Sequence, residues 1–460
     1  MSHSENMNST ENVDVENVDI ESADTKKTTY KHKLQEQLSN AKLKPVRFLS
    51  TVKGQNLLQY RFFREPYWLG FVPVVIITLT ALIAIGLAAT PLKPLAMPVA
   101  LILCGLQIRM NYRYVRGYVK EQEEIAKEDP SKAYQHSGQA SFLPASFTKE
   151  QERKRTQNSY FDNLVYGYHV LYFVTALLCM YAAYATQSYL VGIFLALLWG
   201  FFIAPIAESW SHEFIHRRSL GQQMLGASLW ATFCYGTFLP EHTMGHHVHV
   251  STPEDPSSAP KGMTLYQFLP QAIIKNPING FKLEAKRLRD RGLSVWHPRN
   301  RLIWLSTFSV LWALLSYQMG GSYGLLFWLI STIGSIVTIE VANYLMHYGL
   351  ERQKLDNGRY ERVSPLHSWN AEGPIHMAII NLTRHSDHHA FPRRPYQILR
   401  YFPEAPQLPV SYDRLFFLTW FPSYFFKIMD PQVDKHMEKL KDWKENHIDD
   451  YERVMDLSNV

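Results

Sequence analysis

The run from Val74 to Ala89 carries no charge and almost no polar side chain. Few folds can accommodate such a segment, and similar runs recur along the chain. About 20 apolar residues rising 1.5 Å each cross the hydrocarbon core of a bilayer. In lipid the backbone polar groups must pair within the segment, so an isolated span of this kind is a helix. Six spans are expected: Tyr67 to Thr90, a second ending near Ile108 after the break at Pro91-Leu92-Lys93-Pro94, Leu164 to Thr186, Ser188 to Ile206, Leu302 to Met319, and Tyr323 to Met346. Pro73 lies near the start of the first, where a proline is tolerated. The sequence therefore predicts an all-α integral membrane fold with six transmembrane helices. Cys104, Cys179 and Cys234 lie in apolar stretches without CxxC spacing and read as packing residues.

Charge orients these spans. The net charge is +6, with Lys and Arg concentrated in particular loops, a pattern that speaks for membrane orientation and against nucleic acid. The loops after spans two and four and the tail after span six are basic. Those after spans one, three and five are short and nearly uncharged. The positive-inside rule then places both termini and every histidine motif on the cytoplasmic side of the inner membrane. Residues 1–28 form an acidic tail without an apolar core, expected to be disordered and not a secretory signal. Residues 29–66 form a basic pre-membrane segment. The integral-membrane domain covers 67–432, with an insert-like polar loop at 109–163, and a charged tail occupies 433–460. Met224 to Pro240 is apolar but short, and motifs needing the same side flank it, so a re-entrant or interfacial helix is expected.

The ends of these spans carry histidines: His212-Glu213-Phe214-Ile215-His216, Glu241-His242-Thr243-Met244-Gly245-His246-His247, the lone His347, and Arg384-His385-Ser386-Asp387-His388-His389-Ala390. Buried imidazoles need partners, and a metal ion satisfies several at once. His212 and His216, four apart, share a helix face, with Glu208 one turn before them. His242 and His246 can share a face while His247 points about 100° away, and the 385, 388, 389 set behaves likewise. Adjacent pairs that diverge suit two metals better than one. Imidazole-rich coordination with open positions points to iron and oxygen chemistry over calcium or magnesium. His-Glu-x-x-His is also the zinc-protease pattern, but about three protein ligands suffice for a hydrolytic zinc, and this chain offers nine.

The other polar residues are read more plainly. His3, His32, His136, His436 and His447 sit in polar segments and read as solvated, and His169 as hydrogen-bonded within an apolar helix. His249, His297, His367 and His376 lie nearer the motifs, where the plain reading is still a structural one and contact with the site the alternative. Glu213, Glu241 and Asp387 abut the ligand candidates and are expected to orient a ligand N–H. On the sixth span, Asn343 and Glu340 lie one and two turns before His347. A carboxylate that deep in an apolar helix is costly and points to function.

These stretches resemble the membrane-bound non-haem di-iron alkane monooxygenases, relatives of the xylene monooxygenases and, more distantly, of the fatty-acid desaturases. Thr252-Pro253-Glu254-Asp255-Pro256, Asn343-Tyr344, His347-Tyr348-Gly349, Ala405-Pro406-Gln407-Leu408-Pro409 and Asp430-Pro431 extend the match, which runs from about 200 to 435. The resemblance implies a six-span bundle with a cytoplasmic centre of two iron ions and no haem. It also implies O2 as co-substrate, a rubredoxin-like electron donor, and hydroxylation of the terminal methyl of a medium or long alkane. Two departures stand out. The family usually has Glu immediately before the lone histidine, where this chain has Met346, with Glu340 and Glu351 nearby. The 109–163 loop lacks the acidic motif expected there.

The chemistry expected is carried by the metal centre, with no side-chain nucleophile, on a hydrophobic small molecule drawn from the bilayer. The basic residues Lys282, Lys286, Arg287, Arg289, Arg291, Arg393 and Arg394 serve either to steer an acidic carrier or to contact anionic lipid. Two alternatives predict different outcomes. A hydroxylase or desaturase of fatty acyl, aromatic or terpene substrates would differ in product, and a membrane metal-binding or storage protein would hold metal without turnover. His242-x-x-x-His246-His247 has the hydroxylase spacing rather than the desaturase HxxHH.

Overall fold

The computed structural model describes residues 67, 70–88, 90, 98, 102, 105, 146–371 and 374–455. The predicted tail at 1–28, the basic segment at 29–66, the second span and most of the 109–163 loop lie outside the described residues. Within them the chain is helical, with β pairing limited to two isolated bridges. In order come α1 (Phe71–Ala88), α2 (Lys149–Thr156), α3 (Ser159–Ala185), α4 (Tyr189–Leu198), α5 (Ala204–Ile215), α6 (Leu220–Ala231), α7 (Leu265–Arg289), α8 (Arg301–His347), α9 (His385–Ala390), α10 (Tyr412–Leu418), α11 (Pro422–Asn446) and α12 (Ile448–Met455). Local chemistry fixes the boundaries. Thr148 and Gln151 form a capping box on α2, Asn158 caps α3, and Ser188 caps α4.

Four helical segments are long and apolar enough to cross a membrane: α1, α3, the rod from Tyr189 through a π-turn at Trp199–Ile203 to Ile215, and α8. A straight α8 would measure about 70 Å, more than twice the thickness of a bilayer core. It is not straight. Gly321 adopts φ 55° and ψ −143°, a conformation open to glycine. Ser309 donates to the Ala231 carbonyl and Trp328 to the neighbouring Thr232 carbonyl, each at 2.7 Å. In a continuous helix those two donors would stand about 28 Å apart. The two limbs therefore run antiparallel, as the separate fifth and sixth spans expected from the sequence would, with Gly320 and Gly321 at the bend.

The helices pack through apolar and aromatic contacts. Tyr168 stacks on Trp210 with centroids 4.8 Å apart, and Trp210 donates to the Ala378 carbonyl. Between α5 and α7 the chain folds back on itself: after α6 it reverses around Cys234 at φ 57° and continues through a short helix at Phe238–Glu241, with Trp230 stacked on Phe238 at 3.8 Å. Cys179 is buried as expected, but Cys234 is exposed at this reversal and is not a packing residue. His436, expected in solvent, is buried beside Trp369 with a ring nitrogen 2.9 Å from the Leu366 carbonyl oxygen, because α11 packs on the 365–370 segment.

Candidate metal centre

The nine histidines singled out by spacing converge in two groups. His212, His216, His242, His247 and His388 form one; His246, His347, His385 and His389 form the other. In each group the ring nitrogens lie within 4.8 Å of one another. Nε2 of His242 stands 2.6 Å from that of His212 and 3.0 Å from that of His247. The His388–His247 separation is 3.0 Å and the His216–His212 separation 3.2 Å. In the second group, Nε2 of His385 is 3.1 Å from that of His347 and 3.0 Å from that of His389. A neutral imidazole offers one donor and one acceptor, so a convergence of Nε2 atoms cannot satisfy itself. Two nitrogens bound about 2.1 Å from one metal at right angles are about 3 Å apart, which these separations match.

The elements explain the sorting. His212 and His216 lie at the end of α5, and His347 ends α8. His385 and His389, four apart on α9, fall in one group while His388 turns to the other. His242–His246 departs from the sequence reading. It is a π-turn in which the His247 N–H bonds the His242 carbonyl, so five residues make the repeat. His242 therefore pairs with His247, and His246 joins the second group instead of sharing a site with His242. Both adjacent pairs, 246–247 and 388–389, divide between the groups as expected.

The protonation state of the rings favours ligation. Burial, reinforced by the neighbouring imidazoles, drives His242, His247, His388 and His389 well below the ordinary 6.5 and His385 down to about 3. Neutral imidazole is the ligating form. His246 gives the sharpest test of fit. Its Nδ1 lies 2.9 Å from Oδ2 of the buried Asp255, while its buried Nε2 has no partner in the protein. A carboxylate on one ring nitrogen and an open lone pair on the other is the arrangement of an oriented metal ligand. The donor set fits two metal ions.

Sequence spacing does not point to Asp255, and the carboxylates it does point to, Glu213 and Asp387, turn elsewhere. Glu213 binds Arg217 and the Tyr396 N–H, which takes it out of the zinc-protease role. Asp387 accepts from the Arg400 N–H and guanidinium and pairs with Arg394. Glu241 is buried with an unpartnered Oε1, and burial pushes its carboxyl up. Glu340 accepts from Tyr235, Asn276 and Asn343. Asn276 also donates to Ser257 Oγ, and the Ser257 N–H donates to Asp255. Glu340 and Asn343 are thus linked to His246 by hydrogen bonds through this buried chain. Met346 packs in an apolar cluster with Leu345 and Trp369, and Glu351 is exposed, so neither stands in for a ligand. His169 bonds the Val165 carbonyl, His249 pairs with Glu254, His367 with Glu361 and His376 with Thr383. These and His297 stay outside both groups.

A cavity of about 1200 Å³ opens against the first group, with the half-buried His216 in its wall among Arg217, Arg218, Arg301, Arg393 and Arg394. On the opposite flank Phe238 stacks on His242 with centroids 4.6 Å apart. The centre thus has an aromatic ring against His242 and arginines at the cavity beside His216, of which Arg217, Arg301 and Arg394 are ion-paired.

Comparison with known proteins agrees with this architecture. The family model described as "Fatty acid desaturase" matches residues 186–419, which include every histidine of both groups. An alkane 1-monooxygenase 2 of Pseudomonas aeruginosa is 44% identical over 236 residues, 51% of this chain and 62% of the relative, so the chain spans about six-tenths of that relative's length. An alkane 1-monooxygenase of Acinetobacter baylyi is 32% identical over 294 residues, 64% of this chain and 72% of the relative. The xylene/toluene monooxygenase hydroxylase component XylM of Pseudomonas putida is 31% identical over 278 residues, 58% and 69% of the two chains. The matched segment contains both histidine groups, and the chain belongs to the fatty acid desaturase family, among its alkane-monooxygenase-like members.

Proposed function

We propose that the chain is an alkane 1-monooxygenase-like enzyme that hydroxylates the terminal methyl of medium or long n-alkanes, using O2 and electrons from a rubredoxin-like carrier. The observation that carries this reading is the five-and-four division of nine histidines, eight of them buried and His216 half-buried, with each adjacent pair split between the groups. Two ferrous ions held there would supply the electrons and open coordination positions that O2 activation needs. The protein's own part is orientation and exclusion. Asp255 fixes the His246 ring, and the stacked Trp230, Phe238 and His242 keep water off the bundle side. The relatives' names supply the substrate class, and the apolar helices suit a substrate taken from lipid. The arginine-lined cavity beside His216 suits an acidic carrier protein. In this reading six spans cross the inner membrane and the centre faces the cytoplasm.

The test combines metal content with product analysis. Cells expressing the chain with a rubredoxin partner are fed deuterated octane, hexadecane and a fatty acid. A terminal alkanol is expected; an alkene would assign a desaturase, and bound metal without O2-dependent product would assign storage. His246→Ala and His247→Ala should each lower bound iron from two toward one per chain, because neighbouring residues serve different groups. Full iron content and full turnover in both purified variants would sink the assignment.

A further inference from the structure

α7 presents three faces. Phe268, Ala272, Asn276, Glu284 and Leu288 are buried in the molecule. A second face leaves Tyr266, Ile274, Ile278 and Phe281 between 46% and 61% exposed. At 3.6 residues per turn these side chains fall within an arc of about 120°. Lys275, Lys282, Lys286 and Arg289 occupy the next arc, of about 60°. A helix with an uncovered apolar stripe bordered by lysines has the pattern of one lying in a membrane surface.

The stripe continues at both ends. Tyr266 donates to the Trp420 carbonyl and its ring lies 6.4 Å from that of Trp420, beyond which Phe417, Phe421 and Tyr424 are exposed. At the other end, Glu284 binds Arg301, and Arg287 donates to the Arg299 carbonyl. This ties α7 to the start of α8, where Trp296 and Trp304 are exposed and Val310, Leu311 and Leu314 follow along the apolar limb. Tryptophan and tyrosine gather where hydrocarbon meets headgroups. A soluble surface this apolar would be anomalous, whereas a band continuous with a spanning helix needs only lipid.

The geometry points to α7 and the aromatic patch at Phe417–Tyr424 as a membrane-surface contact. Ile274, Ile278 and Phe281 sink into the acyl boundary, and Lys275, Lys282, Lys286 and Arg289 bind anionic phospholipid headgroups. The α7 cations thereby separate from Arg218 and Arg393 at the cavity, which are left to receive a carrier protein. The assignment rests on reading the chain as membrane-spanning, and the control labels test that reading separately.

The full chain, with Cys104, Cys179 and Cys234 replaced by Ala, is placed in nanodiscs of phosphatidylcholine and phosphatidylglycerol. Single nitroxide labels go on Ile278→Cys, Phe281→Cys and Tyr424→Cys, with Leu314→Cys and Ile333→Cys on α8 as controls. At the three test positions relaxation by O2 should exceed relaxation by a nickel chelate, as at the controls, and Lys275→Cys should show the reverse. Controls that read water would defeat the membrane reading itself. Controls in lipid with the three test positions in water would overturn the α7 assignment alone. The double variant Lys282→Gln/Lys286→Gln should retain at least twofold less phosphatidylglycerol after purification. Unchanged retention with weakened binding of an acidic protein would make the arc a protein-docking face and overturn the headgroup assignment.

Discussion

Asp255 acts on the centre through one hydrogen bond. Its Oδ2 lies 2.9 Å from His246 Nδ1 and also accepts from Ser258 Oγ, so the carboxylate is held while it holds the ring. A carboxylate behind a ligating histidine raises ligand basicity and fixes the tautomer, and its loss typically costs ten- to a hundredfold in metal affinity. Asp255→Asn is therefore expected to weaken iron in the four-histidine group by about that factor while sparing the five-histidine group. Iron per chain after graded chelation should fall in two steps in the variant; a single step matching the unaltered protein would remove Asp255 from this role. Eight of the nine ligand candidates were legible because their spacings are short, and the lone His347 because it ends an apolar span. Asp255 was legible only as part of a family motif, since it lies nine positions and a loop beyond its histidine. Glu213 and Asp387 are sequence neighbours of ligands, but their charges are taken by Arg217, Arg394 and Arg400. Adjacency along the chain is a poor guide to which atom a carboxylate meets.

Single elements carry geometry that hydropathy does not encode. The π-turn at His242–His246 changes the repeat from four to five, and that one extra residue moves His247 rather than His246 onto the face of His242. An apolar pattern shows that the segment is helical but not which carbonyl each N–H selects. The hairpin of α8 is a clearer case, because Gly320-Gly321 announces a break. Gly321→Ala forces a side chain into φ 55° and should destabilise the fold by about 1–3 kcal/mol, read as a lower thermal midpoint in detergent. An unchanged midpoint would mean that the bend does not depend on this glycine. Glu284 supplies the matching joint between α7 and α8. Burial raises its carboxyl, but hydrogen bonds from Arg287 and Arg301 outweigh that and hold it at about 2, against an ordinary 4.5. A depressed carboxyl contributes stability that is complete above 4.5 and is lost as pH falls toward 2. Glu284→Gln leaves two arginines without their counter-charge and should cost on the order of 3 kcal/mol at neutral pH. It should also flatten the stability profile between pH 4.5 and 2. A variant with the same acid limb as the parent would assign that limb to other carboxylates.

At the scale of the molecule the arrangement implies two unlike ends. Gln187 lies in the turn between α3 and α4, and Ser322 in the bend of α8. Tyr189 Oη lies 2.9 Å from Ser322 Oγ, which brings the two turns together at one end of the bundle. α5 and α8 reach their histidines only at their far ends, so the metal groups and the arginine-lined cavity occupy the opposite end. The sequence gives no charge to either turn, whereas Arg393 and Arg394 flank the last histidine motif, and cytoplasmic segments of membrane proteins are the basic ones. Gln187→Cys and Ser322→Cys are therefore expected to react with a membrane-impermeant maleimide added outside intact spheroplasts. Arg393→Cys should react only after the membrane is opened. Labelling of Arg393→Cys alone from outside would reverse the assigned orientation and place the cavity where no cytoplasmic electron carrier could reach it, and labelling of all three would overturn the two-ended arrangement. The expected pattern gives the two faces separate tasks. Under the proposed function, reducing equivalents would arrive through water at the arginine-lined end and an apolar substrate through lipid along the helices, so neither would need to cross the medium of the other.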